Sequence, residues 1–314
     1  MSATVPGSAR PAILALGEPM IEFNQTRPGE PGYLQGFGGD TSNAIIACAR
    51  QGAPCGYITR LGDDEFGRML GELWRAEGVD ASGVGVDASA HTAVYFVTHD
   101  ARGHVFSYLR RGSAASRMVP ADVPVALVQG ARYLHVSGIS QAISESACDA
   151  AFHAMQAARA AGVLVSYDTN LRLKLWPLER ARAVIGQALA LSDYLLPSLE
   201  DMQAIAGLDE PDAIIDWCFA QGARNVVLKL GRQGCIAATP TRRTPVPGHV
   251  VPAVDATGAG DCFDGAFLAR LYFGDDIATA ARYANAAAAL TTTGFGAVAP
   301  LPRRAAVEQL LSSQ

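Results

Sequence analysis

An α/β fold, with a central mostly parallel sheet flanked by helices on both faces, is what this 314-residue sequence predicts. Three observations carry that prediction. Short apolar runs alternate with helical stretches along most of the chain, the pattern of repeated βαβ units. One segment breaks the alternation and reads as a β-hairpin outside the main layer. Near the C-terminus, a glycine-rich turn delivers a carboxylate to the start of an apolar helix.

Taken in order, "AILALG" reads as a buried strand, and "MIEFN" and "GYLQGF" follow it. "TSNAIIACARQG" has helical spacing and stops at Gly52. "CGYITRLG" is the next strand. "DEFGRMLGELWRAEG" is a helix with Phe66, Met69, Leu70 and Leu73 on one face. "YLHVSG", "LVSYD", "YLLPS" and "NVVLKLG" supply further strands, separated by helices such as "ESACDAAFHAMQAARAAG". "YANAAAAL" has the composition of a closely packed helix. The exception is "TAVYFVTHDARGHVFSYLRRG", two strands joined at "DARG". Its pleat puts Tyr108 and Arg110 on one side and Arg111 on the other. Either it is a plain surface hairpin or it forms a lid over a polar ligand.

Bulk properties narrow the function. A hydrophobic fraction of 49% against 18% charged residues describes a soluble globular chain. A net charge of −5 lacks the basic footprint of sequence-independent nucleic-acid binding. No basic and apolar leader opens the sequence, and no run is long enough to span a membrane, so a cytoplasmic location is expected. The cysteines, Cys262 beside Asp261 among them, are scattered without C-x-x-C and read as reduced, packing thiols. The histidines lack metal-ligand spacing.

The chemistry concentrates in "DATGAGDCFDGAF", Asp255 to Phe267. Gly258, Ala259 and Gly260 leave little side chain over the first N–H groups of the following helix, which form a seat for an anion. Asp261 beside that seat suits a proton acceptor. The plainer alternative has Thr257 or Asp255 capping the helix, with Asp261 as a dipole partner. A Walker A loop is excluded, because neither Lys174 nor Lys229 follows a glycine. "GVGVDA" at 83–88 has a dinucleotide-like spacing but follows a helix end and precedes a strand, the wrong context. "GFGGDTSN" delivers Asp40 and Asn43 to a helix start, either as a cap or as a polyol contact.

With "GGDTSNAIIACARQG", the C-terminal motif resembles the ribokinase (PfkB-type) carbohydrate kinase family over nearly the whole chain. "GEPMIEFN", "YLRRGSAAS" and "DTNLRLKLW" most resemble its 2-keto-3-deoxygluconate kinases. The resemblance implies a ribokinase-like fold in a single domain over 1–314, with a small β-sheet lid formed by about 20–37 and 92–111. It implies ATP as donor and Mg2+ as counter-ion, with Asp261 as catalytic base and Gly258, Ala259 and Gly260 as anion hole. Gly39, Asp40, Asn43, Tyr95, Tyr108, Arg110 and Arg172 would line the sugar site. Asn170, Ser198, Lys229, Gly231, Gly234, Thr257 and Asn285 would meet the nucleotide. Asp201 stands where the family has a magnesium-organising glutamate, and would act through water. Glu22 stands where many relatives have a substrate-binding aspartate.

The implied activity is transfer of the γ-phosphoryl group to the 6-hydroxyl of 2-keto-3-deoxygluconate. Arg110 and Arg172 would read the acid's carboxylate, unless either pairs with an internal acid. Fructokinase is the alternative within the family, and a sugar-sensing regulatory protein on the same scaffold the alternative outside it. A homodimer through the lid is expected.

Overall fold

The computed structural model describes residues 10–100 and 103–313. Thirteen strands are described: β1 (Ile13–Leu16), β2 (Met20–Gln25), β3 (Tyr33–Gly38), β4 (Cys55–Gly62), β5 (Asp80–Asp87), β6 (Val94–Asp100), β7 (Gly103–Leu109), β8 (Tyr133–Ser137), β9 (Leu164–Asp168), β10 (Tyr194–Leu195), β11 (Val226–Lys229), β12 (Gly234–Thr239) and β13 (Arg242–Pro247). Nine of them form one sheet in the order β13-β12-β11-β10-β9-β8-β1-β4-β5. From β5 through to β11 the pairings are parallel, and only the β11–β12 and β12–β13 pairings are antiparallel.

Helices cover both faces: α1 (Asp40–Arg50), α2 (Glu65–Glu77), α3 (Val125–Gln129), α4 (Gly138–Ala142), α5 (Glu145–Ala160), α6 (Leu178–Leu191), α7 (Leu199–Ala206), α8 (Pro211–Ala220), α9 (Ala259–Tyr272), α10 (Ile277–Thr291) and α11 (Arg304–Ser312). β1 is buried along its whole length, as a strand covered on both sides must be. Ile45, Trp74, Phe267, Tyr283 and Val307 pack one face, from α1, α2, α9, α10 and α11. Met155, Ile185, Met202 and Ile214 pack the other, from α5 to α8. The expected face of α2 is there, with Leu70 and Trp74 buried and Phe66, Met69 and Leu73 partly so. All six cysteines are buried and free.

The second sheet has the order β3-β2-β6-β7. The two runs after β1 therefore join the hairpin rather than the main layer, with β2 and β6 paired in parallel. A lone two-stranded hairpin is marginal in water, and two added strands with a packed face support it. The hairpin tip, 101–102, lies outside the described residues. All of "GVGVDA" except Ala88 belongs to β5 itself, so the motif does not precede a strand. Among the described residues no helix is long and apolar enough to cross a membrane.

One contact positions the site. A Cβ added to Gly265 on α9 would stand 1.9 Å from the carbonyl oxygen of Ala44 on α1. The two helix backbones touch, and their N-terminal turns, carrying Asp261 and Asp40, open on the same cleft. Gly265→Ala should therefore cost about 1–3 kcal/mol of stability, the usual range for overpacking a core. It should also lower turnover by separating α1 from α9. Denaturant melts with parallel kinetics measure both, and wild-type behaviour in both would dismiss the contact as a constraint.

Candidate active site

Gly258 is the N-cap of α9, at φ 75°, and no side chain caps the helix. A Cβ there would lie 2.9 Å from the carbonyl oxygen of Ala297. The capping alternative is thus not what this turn does. Asp255 Oδ1 accepts instead from Thr257 N at 2.9 Å and Thr257 Oγ1 at 2.7 Å, and Oδ2 accepts from Gly296 N at 3.0 Å. The intrahelical ladder begins with Cys262 N bonding Gly258 O, so the N–H groups of Gly260 and Asp261 precede it. Gly260 is helical and roomy, with Lys229 Nζ 3.8 Å from an added Cβ. The backbone demand for glycine falls on Gly258.

Asp261 follows in the first helical turn. Its Oδ2 accepts from Asn43 Nδ2 at 2.8 Å. Burial, then the charges of Asp40 and Asp168, push its carboxyl up to about 7 against the Asn43 bond and Lys229. Asp40 does not cap α1, because Gly39 holds that position. Asp40 Oδ2 accepts from Asn170 Nδ2 at 3.1 Å. Asp40 Oδ1, Asn43 Oδ1 and Gln141 Nε2 are buried without a hydrogen-bond partner. Buried polar atoms seldom stay unpaired, and those at Asp40 and Asn43 are acceptors beside Asp261.

The small sheet supplies a further wall. The Tyr95 hydroxyl donates to the Glu22 carboxylate, and its ring stacks on Tyr108 at 5.8 Å. The Arg110 guanidinium lies 5.5 Å from the Tyr108 ring centroid. Burial raises the Tyr108 hydroxyl, opposed by the charges of Arg110 and Arg172, so both guanidiniums lie within electrostatic range of it. The two arginines differ, however. Arg110 Nε donates to Glu18 Oε2 at 2.8 Å, and Glu18 is 1% exposed. Arg110 therefore has an internal acid, a glutamate just beyond the end of β1. Arg172 is exposed and donates only to the Leu171 carbonyl among the described bonds, at 2.9 Å.

The residues expected to meet the nucleotide gather at the C-terminal edge of the sheet, where open α/β folds place their sites. Lys229 Nζ lies 3.2 Å from Asp168 Oδ2 and 3.1 Å from Asp264 Oδ1. Burial opposes its charge, but the two carboxylates outweigh burial and hold it protonated. Burial also pushes Asp264 well above the usual carboxylate range and takes His135 down to about 4, leaving the imidazole neutral. Asn170 turns toward Asp40, with φ 32°. Asn285 spends its amide N–H groups on the carbonyls of Val246 and Pro247, at 3.1 and 3.2 Å. Ser198 caps α7 by accepting from Asp201 N. Asp201 Oδ2 accepts from Thr169 Oγ1 at 2.9 Å and Leu171 N at 3.0 Å, holding the loop that carries Asn170 and Arg172. Gly231 and Gly234 bound the short turn between β11 and β12. Glu18, Gln141, Asp168 and Asp264 had no sequence signal of their own, although Asp264 stands one turn beyond Asp261.

The pfkB family carbohydrate kinase model matches residues 11–304. Fructokinase-1 of Oryza sativa subsp. japonica is 36% identical over 316 residues, covering 96% of this chain and 98% of the rice protein. The probable fructokinase-4 of Arabidopsis thaliana is 36% identical over 318 residues, covering 95% and 96%. Among solved structures, a fructokinase from Xylella fastidiosa with bound ATP has a TM-score of 0.89 at 28% identity, covering 96% of this chain and 98% of that one. A fructokinase from Vibrio cholerae O395 in fructose, ADP and calcium ion bound form has a TM-score of 0.87 at 28% identity, covering 96% and 99%.

A carboxylate raised to about 7 accepts a proton only above that pH, so kcat/KM should climb through pH 7 and level off. Asn43→Ala removes a bond that favours the ionised form, and should move that limb to higher pH. Asp261→Asn should lower turnover about 10²–10⁴-fold with sugar affinity changed far less. Kinetics from about pH 5 to 9 read all three. A flat wild-type profile, or an active Asp261→Asn protein, would remove Asp261 from the chemistry.

Proposed function

This chain belongs to the pfkB family of carbohydrate kinases, and on that premise we propose that it transfers the γ-phosphoryl group of ATP to a primary hydroxyl of a ketose, fructose foremost. The observation that carries the reading is the pair of buried, unpaired acceptors beside Asp261, Asp40 Oδ1 and Asn43 Oδ1. Acceptors call for donors, and sugar hydroxyls are donors. Leaving such atoms unpaired costs about 1–3 kcal/mol each, which a bound polyol recovers. The relatives named fructokinase support fructose as the polyol.

Each residue then has a role at a stated atom. Asp40 and Asn43 orient the sugar so that one hydroxyl faces Asp261 Oδ1, while Asn43 keeps Oδ2. Asp261 takes that hydroxyl's proton as the oxygen becomes a nucleophile. The N–H groups of Gly260 and Asp261, with the positive end of the α9 dipole, receive the transferring phosphoryl group. Lys229 adds a held positive charge beneath that turn. Among the described residues no group of three or more His, Cys, Asp or Glu could hold a metal ion. A divalent cation would come with the nucleotide, whose phosphate charge it would neutralise.

A second reading has one observation behind it. Arg172 is exposed within electrostatic range of Tyr108, and Glu18 already balances Arg110. Arg172 is thus the guanidinium open to the carboxylate of a 2-keto-3-deoxy sugar acid. Exposed Tyr33, Leu34 and Leu109 on the small sheet support its pairing with a second copy. The intact base and seat weigh against a sensor without catalysis.

Measuring kcat/KM for fructose and 2-keto-3-deoxygluconate on one preparation decides the substrate. Fructose is expected to lead, and Arg172→Met to leave its kcat/KM within about threefold. If the acid leads and Arg172→Met lowers it ten- to a hundredfold, roughly a lost charged hydrogen bond, the second reading replaces the first. ATP consumption with neither sugar would overturn the acceptor class.

A further inference from the structure

The small sheet joins the core through four passages of the chain, at 17–19, 39, 88–93 and 110–114. One residue draws three of them together. Glu18, in the first passage, is 1% exposed. Its Oε2 accepts from Arg110 Nε at 2.8 Å and its Oε1 from the Ser113 hydroxyl, so the carboxylate grips the last passage at two points. Its backbone carbonyl closes on the second, because a Cβ added to Gly39 would strike that oxygen. The third passage is tied to the last by Ala114 N, which donates to His91 O at 2.9 Å. A carboxylate taken out of water needs its charge met, and Arg110 meets it.

The grip leaves part of the guanidinium unspent. Arg110 Nη2 lies 2.5 Å from Glu18 Oε2 but off the line of a hydrogen bond, and it is buried without a hydrogen-bond partner. Burial raises the Asp40 carboxyl and the charge of Arg110 opposes it, so Arg110 is within electrostatic range of Asp40. Asp40 Oδ1 is itself an unpaired acceptor. A hydroxyl both donates and accepts, and so can satisfy one of each. We propose that Glu18 is a positioning residue for the sugar, gripping Arg110 by Nε at the junction of the two sheets so that Nη2 donates to a sugar hydroxyl. The inference rests on the kinase reading above. The Tyr108 ring, 5.5 Å from the guanidinium carbon, supports the same orientation from the small sheet. A planar fork held at one edge loses little further freedom when the sugar arrives. Without the Glu18 charge, Arg110 turns to Asp40 and takes the acceptor that the sugar needs.

Glu18→Gln keeps the shape of the side chain and removes its charge. The KM of the leading sugar should rise about ten- to a hundredfold, while the ATP KM stays within about threefold. The pH limb of kcat/KM should move as well. Asp261 faces Asp40 and Asn43 on α1, Asp168 at the end of β9 and Lys229 at the end of β11. Tyr57 and Tyr95, within range of it on β4 and β6, stay neutral because burial raises both hydroxyls. Of these groups only Asp40 gains a counter-charge, which eases the Asp261 carboxyl down and shifts the limb to lower pH. A merely structural role for Glu18 would leave the limb in place. Glu18→Gln combined with Arg110→Met removes both charges, and should be no worse than Arg110→Met alone. An unchanged sugar KM, an ATP KM that rises with it, an unmoved limb or a worse double variant would overturn the proposal. Should Glu18→Gln fail to fold, Glu18→Asp withdraws the carboxylate by one methylene, and the same contrast between the two KM values decides. Wild-type enzyme inactive with every sugar would sink the kinase reading. An active wild type whose constants survive Glu18→Gln would sink only the role of Glu18.

Discussion

The site depends on a place where two helices touch without side chains between them. Gly265 on α9 meets the Ala44 carbonyl on α1, and no residue with a Cβ fits without moving backbone. That contact lets Asn43, in the first turn of α1, reach Asp261, in the first turn of α9, at 2.8 Å. Alanines on α10 at 280, 281, 284, 286 and 287 are buried in the same core cluster as α9, which lets the helices lie close. Packing of small residues thus fixes the relative placement of the base and the residues that would hold its substrate. The core and the chemistry share one constraint.

Crowded carboxylates are the second consequence of that geometry. Asp40, Asp168, Asp261 and Asp264 are all buried or nearly so around the two helix starts, with Lys229 as the cation that touches two of them. Four full negative charges cannot share such a space against one ammonium. The strain is divided unevenly: Lys229 holds Asp168 below the usual range although burial alone would raise it, while Asp264 is pushed well above. Asp261 ends between these extremes, at about 7. A general base works best near the operating pH, so the crowding that costs stability also tunes the group that would take the proton.

The local part of this arrangement was legible in the sequence. "DATGAGDCFDGAF" carries its own turn chemistry, and "GGDTSN" its own helix start, so Asp261, Asp40 and Asn43 could be named before any fold. The alternation of apolar runs and helices gave the parallel sheet for the same reason. Partners distant in the chain were not legible. Arg110 pairs with Glu18 across 92 positions, and Asn43 with Asp261 across 218. Periodicity says nothing about such encounters, and so Arg110 could not be assigned to a substrate or to an internal acid. β2 and β3 read as strands, and only the family resemblance grouped 20–37 with 92–111, because the parallel pairing of β2 with β6 that joins them is announced by no turn signal.

The six buried cysteines have a use outside the chemistry. Each thiol is sealed within the fold, and burial pushes those of Cys218, Cys235 and Cys262 up to about 12, leaving almost no thiolate at neutral pH. A thiol reagent in solution can react only during an opening that brings one of them to water. Cys262 lies beside Asp261 on α9, Cys48 on α1, and Cys218 on α8 across the sheet. The chain thus carries native clocks on both faces of its sheet, and their separate labelling rates would time how often each layer breathes.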